Sequence, residues 1–341
     1  MTDKSVAKKK KVSVNHEWGT LKDVIIGCQP IDNKMTFPKM KSGKKPLYMT
    51  KRTLELSERF PGESYYKIRP TSVRNFRNQA DEFALLAQQH GASIHRNDPL
   101  PVSKSTGENY FGLQLYTRDP ILVIGNKIII TNLKSPARRM EQRALESIIS
   151  DIHKNYKAEL IYMPKNKEGF ATDNIYLEGG DVLLNGYNIY VGNSGNATNV
   201  LGIEWLRNTL GSAYKVHEIK LKNNVLHLDC AMMLLNKNLG VLCEDDLVGV
   251  SSEKDIKGVL PSTLEEYKWI SATPEEAKTM GTNGCILNSN TVIMDAHHPD
   301  IAEEIRKKKH TVIEIPYISG MSLGGGLRCS HHPLIRESEL P

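Results

Sequence analysis

The residue with the clearest chemical potential in this 341-residue chain is Cys329, which closes the run Ser322-Leu323-Gly324-Gly325-Gly326-Leu327-Arg328-Cys329. Glycines open backbone conformations that side chains forbid and admit close approach by a ligand, so Cys329 is expected to be an exposed nucleophile. A base and carboxylates occur elsewhere: Asp119 in Tyr116-Thr117-Arg118-Asp119-Pro120, Glu178 and Asp181 in Leu177-Glu178-Gly179-Gly180-Asp181, and His227 and Asp229 in Leu226-His227-Leu228-Asp229. Each lies beside an apolar run. His227 and Asp229 are two apart, which on a strand puts them on one face, and Glu178 could orient the His227 ring as a third group does for a catalytic base. Several acids buried together are costly unless a cation compensates them. A guanidinium does so well, being planar, permanently charged and able to pair bidentately with carboxylates. The set points to covalent chemistry on a cationic substrate, with Arg328, a protonated His227 or the substrate itself lowering the pKa of the thiol.

The bulk numbers narrow the class. Hydrophobic residues make up 39% and charged residues 25%, as in a soluble globular protein, and no apolar run approaches a membrane span. The lysine-rich start, Met1 to Lys11, has no hydrophobic region and reads as a disordered basic tail, not a secretory signal. Five widely spaced cysteines without a CxxC pair argue against a disulfide framework or zinc site and fit a reducing, cytoplasmic setting. The net charge of +6 resides in lysine clusters without any nucleic-acid-binding pattern, so neither nucleic acid nor membrane is expected as a partner. The adjacent pairs His297-His298 and His331-His332 point to opposite faces of an extended segment, which suits no single metal ion.

These residues must be positioned by a recurring unit. Ile121 to Ile124 and Ile128 to Ile130 flank a hairpin turn, and a helix is predicted over Pro136 to His153. Asp181–Leu184 and Ile189–Val191, His227–Leu235 and Gly240–Cys243, and Cys285–Leu287 and Thr291–Met294 repeat the strand-turn-strand pattern. Helices are predicted at Val73–His90, Asn199–Leu210 and Ile301–Lys308, whereas Asp32 to Tyr66 reads as an irregular surface excursion. Strand, tight turn, strand, helix, strand recurs about five times, which would bring acids and histidines at corresponding strand ends to a central cavity. No composition break marks a boundary, so residues 12–341 are expected to form one domain.

The chain resembles the guanidino-group-modifying superfamily of cysteine enzymes, which includes amidinotransferases, arginine deiminase and dimethylargininase. The resemblance runs from about Val12 to Arg336 through Asn15-His16-Glu17-Trp18, LKDVIIG, RDPILVIGNKII, LEGGDVLL, TNVLGIEWLRNTL, YKVHEIKL, LHLDCAMMLL, VIMDA and SLGGGLRC. It implies the pentein α/β-propeller, five ββαβ-like modules around a pseudo-fivefold axis. It also implies Cys329 as nucleophile, His227 as general acid and base, Glu178 as its orienting partner, and Asp119 and Asp229 as the grip on a substrate guanidinium. Asp181 and Arg328 are weaker candidates for that shell. No cofactor is implied, and a homodimer rests on analogy alone. The Glu-Trp opening, GIEWLRNTL with YKVHEIK, and SLGGG resemble the transferases, which pass the amidino group to an amine. Glu178 with the glycines of LEGGD, Arg328, and the short Glu275 to Asn283 segment resemble the hydrolases, which pass it to water.

Overall fold

The computed structural model describes residues 9–28, 51–98, 114–167, 171–250, 256–317 and 324–337. Five three-stranded sheets repeat one plan. A first strand pairs antiparallel with a second, a helical segment follows, and a third strand returns parallel to the second. The chain opens inside one module, with β1 (Thr20–Ile26), the helix Pro70–Gln89 and β2 (Ser93–Arg96). The next four run in order: β3 (Ile121–Ile124), β4 (Lys127–Ile130) and β5 (Glu159–Tyr162); β6 (Val182–Asn185), β7 (Asn188–Asn193) and β8 (Lys215–Lys220); β9 (Met232–Leu234), β10 (Leu239–Leu242) and β11 (Lys268–Ser271); β12 (Cys285–Asn288), β13 (Thr291–Asp295) and β14 (Thr311–Ile315). The final strand, β15 (His331–Glu337), pairs antiparallel with β1 and supplies the strand that the opening module lacks. These are the five ββαβ modules of the pentein fold.

The apolar runs explain why these segments are strands. β3, β9 and β10 are buried along their whole length, as continuous apolar runs require when both faces are covered. The helices bury one stripe each: Val73, Phe76, Ala80, Phe83, Ala84 and Ala87 of Pro70–Gln89 recur at helical spacing. Asn199 caps Val200–Leu210 by accepting the Gly202 N–H.

Three expectations change. Pro136 to His153 is not one helix: two 3-10 turns, Pro136–Arg138 and Glu141–Leu145, precede the α-helix Glu146–Asn155. Within the irregular excursion expected over Asp32 to Tyr66, residues 32–50 lie outside the described residues, but Lys51–Arg59 is helical and Tyr65 opens the helix Tyr65–Ile68. Of the expected tail, residues 1–8 lie outside the described residues. Lys9 to Lys11 are instead fastened down: the Lys9 Nζ donates to Lys154 O, Lys10 pairs with Asp23, and Lys11 bridges to Lys157. Among the described residues no helix is long and apolar enough to cross a membrane.

Candidate active site

Each module's first strand is entered through a turn, and these five turns carry the site. Asp119 precedes β3, Glu178 to Asp181 precede β6, His227 to Cys230 precede β9, Thr282-Asn283 precede β12, and Cys329 precedes β15. Hydrogen bonds join the turns into a closed ring. The Arg118 N–H donates to Cys329 O at 3.1 Å, and the Gly179 and Gly180 N–H groups donate to Asp119 O and Oδ1 at 3.2 and 2.9 Å. The Leu228 N–H donates to Asp181 Oδ1 at 3.0 Å, and the Asn283 Nδ2 donates to Asp229 O at 3.2 Å. Asn283 completes the circuit: its carbonyl accepts the Arg328 N–H, and its Oδ1 accepts the Cys329 N–H, both at 3.1 Å.

On one side of the ring, the buried His227 donates Nε2–H to Glu178 Oε2 at 2.9 Å, and its Nδ1 faces Asp119 Oδ1 at 3.8 Å. Glu178 Oε1 also accepts the Lys134 N–H at 2.8 Å, which fixes the carboxylate that orients the ring. Burial alone would push the imidazolium down, but Asp119, the Glu178 hydrogen bond and Asp181 outweigh it and raise the pKa to about 10. His227 is therefore a protonated donor at neutral pH. Gly180 makes this packing possible, since a Cβ there would fall 2.7 Å from Asp119 Oδ1 and 2.8 Å from His227 Nδ1.

The other side holds the thiol. Cys329 Sγ lies 3.9 Å from Asp229 Oδ2, and that oxygen accepts Arg328 Nη1–H at 2.8 Å. Burial, followed by the charges of Asp229 and Asp119, holds the Cys329 pKa well above the ordinary thiol value, and Arg328 only partly opposes this. The resting residue is a thiol.

Several expected placements need correction. Cys329 is 4% exposed, not an open thiol, because the glycines serve close packing here. A Cβ on Gly325 would sit 2.4 Å from the Tyr116 ring, and one on Gly326 would sit 2.7 Å from Asn283 Oδ1. His227 and Asp229 do not share a strand face. His227 is extended and opens the 3-10 turn Leu228–Cys230, so His227 turns to Glu178 and Asp119 while Asp229 turns to Arg328 and Cys329. Asp181 spends both oxygens on backbone, accepting the Leu228 and Thr198 N–H groups at 3.0 and 3.1 Å. Arg328 is committed to the protein: it donates to both oxygens of Glu17 at 3.2 Å, to Asp229, and to Val182 O at 2.8 Å.

Sequence reasoning missed four members of the site. Glu17 anchors Arg328, and Asn283 sets the backbone of Cys329 against that of Asp229. Arg138 donates to Asp119 Oδ2 at 2.9 Å and to both oxygens of Glu141 at 2.9 and 2.8 Å, and it lies 3.6 Å from Glu178. Only Asn283 carried a usable signal, because it occupies the turn before a first strand, as the recognised residues do. Asp119, Glu178 and His227 present ligand atoms within 4.8 Å of one another, a spacing that a metal ion could bridge. Arg138 already supplies a cation to both acids, at 2.9 Å from Asp119 and 3.6 Å from Glu178.

Residues 76–336 match the family model described as N,N dimethylarginine dimethylhydrolase, eukaryotic. The chain is 25% identical over 352 residues to the mitochondrial glycine amidinotransferase of Gallus gallus, covering 92% of this chain and 80% of the relative. It is 27% identical over 223 residues to the Bacillus subtilis (strain 168) protein YkgA, described as uncharacterized, covering 65% and 70%. Among solved structures, SxtG, an amidinotransferase from Microseira wollei, superposes with a TM-score of 0.79 at 20% identity over 97% of this chain and 98% of that one. DDAH from Pseudomonas aeruginosa, complexed with citrulline, superposes with a TM-score of 0.65 at 18% identity, covering 92% and 99%. With its match to residues 76–336, the chain belongs to the family described as N,N dimethylarginine dimethylhydrolase, eukaryotic.

Proposed function

We propose that this protein is an amidinotransferase that takes the amidino group of arginine, or of a related guanidino compound, onto Cys329 and passes it to an amine. The observation that carries the reading is the meeting of a thiol, a protonated histidine and two charged acids on neighbouring turns of one ring. The resting thiol is not itself nucleophilic, because burial and then the charges of Asp229 and Asp119 hold its proton on. A substrate guanidinium between those carboxylates reverses the local charge and favours the thiolate, so only the bound cation arms the nucleophile.

The bonds then change in two steps. The thiol proton passes to solvent as the cation binds, and the Cys329 thiolate bonds to the guanidinium carbon to give a neutral tetrahedral adduct. The carboxylates stabilise the amidinium cation on sulfur that forms when this adduct collapses. The C–N bond to the departing amine breaks as His227 donates its proton, with Nδ1 as the ring nitrogen left free by Glu178. An incoming amine attacks the amidino carbon, returns a proton to His227, and releases Cys329. Arg328 and Glu17 act through Asp229 as positioning groups.

The transferase reading is favoured because the likeness to glycine amidinotransferase extends over 92% of the chain, whereas the family model begins at residue 76. The hydrolase reading, in which water replaces the amine, is supported by the description of that family and by Glu178 as the orienting acid. Product analysis separates them. Incubation with arginine alone should leave it unconsumed, and ornithine should appear only with an added amine such as glycine or lysine. Citrulline and ammonia from arginine alone would replace transfer by hydrolysis. Cys329→Ala should abolish either reaction while preserving the circular dichroism spectrum; arginine consumption at the wild-type rate would refute the nucleophile.

A further inference from the structure

Glu141 is a buried acid for which the reaction steps above have no task. It is 3% exposed and opens the second of the two 3-10 turns, three residues after Arg138. Both of its oxygens go to that one side chain. Oε1 accepts the Arg138 Nε–H at 2.9 Å, and Oε2 accepts an Nη2–H at 2.8 Å. A bidentate pairing of this kind fixes the plane of a guanidinium as well as countering its charge.

That plane decides what Arg138 does along its other edge. Its Nη2 also donates to Asp119 Oδ2 at 2.9 Å, and its Nη1 lies 3.6 Å from Glu178 Oε2. These two acids flank the His227 ring, Asp119 at 3.8 Å from Nδ1 and Glu178 at 2.9 Å from Nε2. Asp119 Oδ1 is set by the Gly180 N–H, so Arg138 fixes the rotation of that carboxylate by holding the second oxygen. A cation alone would need no third buried acid beside it; a cation held in one plane does.

We propose that Glu141 is a positioning residue for the reaction, holding the Arg138 guanidinium in the plane that aligns Asp119 and Glu178 about His227. It acts through Arg138 and not on the reacting atoms. The inference rests on the guanidino chemistry proposed above, and it holds whether an amine or water resolves the amidino-cysteine. The grip is one that neutral pH can loosen. Burial, reinforced by Asp119 and Glu178 and opposed by Arg138, raises the Glu141 pKa to about 7. Once protonated, the acid offers a donor where Arg138 needs an acceptor.

Glutamine copies the protonated acid, so comparing Glu141→Gln with wild type across pH isolates this group. At pH ~8.5, with arginine and an added amine, the variant should lose about 30-fold in kcat while KM stays within about threefold. The wild-type to variant ratio should shrink to about twofold by pH ~5.5, as the wild-type acid takes up its proton. Asp181 also titrates at about 7, but it is present in both proteins and cancels in the ratio. Arg138→Lys, which keeps the charge without the fork, should lose kcat at every pH. In crystals of Glu141→Gln, Arg138 Nη2 should part from Asp119 Oδ2; if that variant does not fold, wild-type crystals at the two pH values make the same comparison. A ratio constant across pH, a loss carried by KM alone, or an Arg138 that keeps its contact with Asp119 would each overturn the proposal. A wild-type protein that consumes no guanidino compound would overturn the reaction instead, and the crystals would still decide the role of Glu141.

Discussion

Two neighbouring turns, Glu178 to Asp181 and His227 to Cys230, share one shape and differ in what their acids do. Each opens on an extended residue, with φ/ψ of −125°/137° at Glu178 and −130°/163° at His227, and each continues as a three-residue 3-10 turn into a buried strand. Asp181 gives both oxygens to backbone N–H donors of the next module and the Thr198 segment. Asp229 gives one oxygen to the Arg328 guanidinium and presents it to the Cys329 thiol. With no cation in contact, burial pushes Asp181 up to about 7, so it fastens the ring more than it charges it. The same turn thus serves as a clasp or as a charged wall, depending on whether an arginine stands beside the acid.

The sharpest way to break this comparison is a matched pair of neutralisations. Asp229→Asn should lower kcat/KM by about 10²–10³-fold, the scale of losing one electrostatic contact to a transition state. Asp181→Asn should leave kcat/KM within about tenfold but destabilise the fold by roughly 1–3 kcal/mol, because an amide N–H then faces a backbone donor. Steady-state kinetics and urea unfolding of both variants decide the matter; the reverse pattern would exchange the roles.

A smaller effect probes the contact between the turns. Gly180→Ala puts a Cβ against Asp119 and His227, and displacement of either should lower kcat about 10²-fold while the circular dichroism spectrum is preserved. An unchanged kcat would mean that the geometry at Asp119 is slack.

The smallest effect is a pair of pH windows. His227 is raised from its ordinary 6.5 to about 10, so its contribution to stability is fully present below pH 6.5 and lost as pH rises through about 10. Asp181 is also raised, from 3.8 to about 7, so its contribution is present below pH 3.8 and lost as pH rises through about 7. The stability gap between wild type and His227→Gln should therefore narrow between pH 7 and 10, whereas that for Asp181→Asn should change only at lower pH. Unfolding free energies across both ranges check this, and a His227→Gln gap flat to pH 10 would remove the imidazolium from the resting site.

Sequence pattern and structure agree where short-range physics decides. The hairpins, the amphipathic helix Pro70–Gln89 and the helix Val200–Leu210 follow from local spacing, and so does the five-module plan. The pattern misled where close packing decides. A glycine run before Cys329 reads equally as freedom or as tight contact, and only the Tyr116 ring and Asn283 select the second. Residues that act across modules, such as Glu17 on Arg328, are 311 positions apart and leave no local trace. The spacing of two from His227 to Asp229 predicts one strand face, but the 3-10 turn divides them as Asp181 accepts the Leu228 N–H.

The pairing of β15 with β1 also has a consequence for how the protein is made. Of the five turns in the ring, the one bearing Cys329 is last along the chain. During synthesis the acids and His227 are present before their thiol, and β1 keeps one edge without its antiparallel partner until β15 arrives. A truncated or stalled chain therefore lacks both Cys329 and the strand that closes the opening sheet. On the proposed mechanism, competence and completion of the fold arrive together, and partly made copies carry no Cys329 thiol in an assembled pocket.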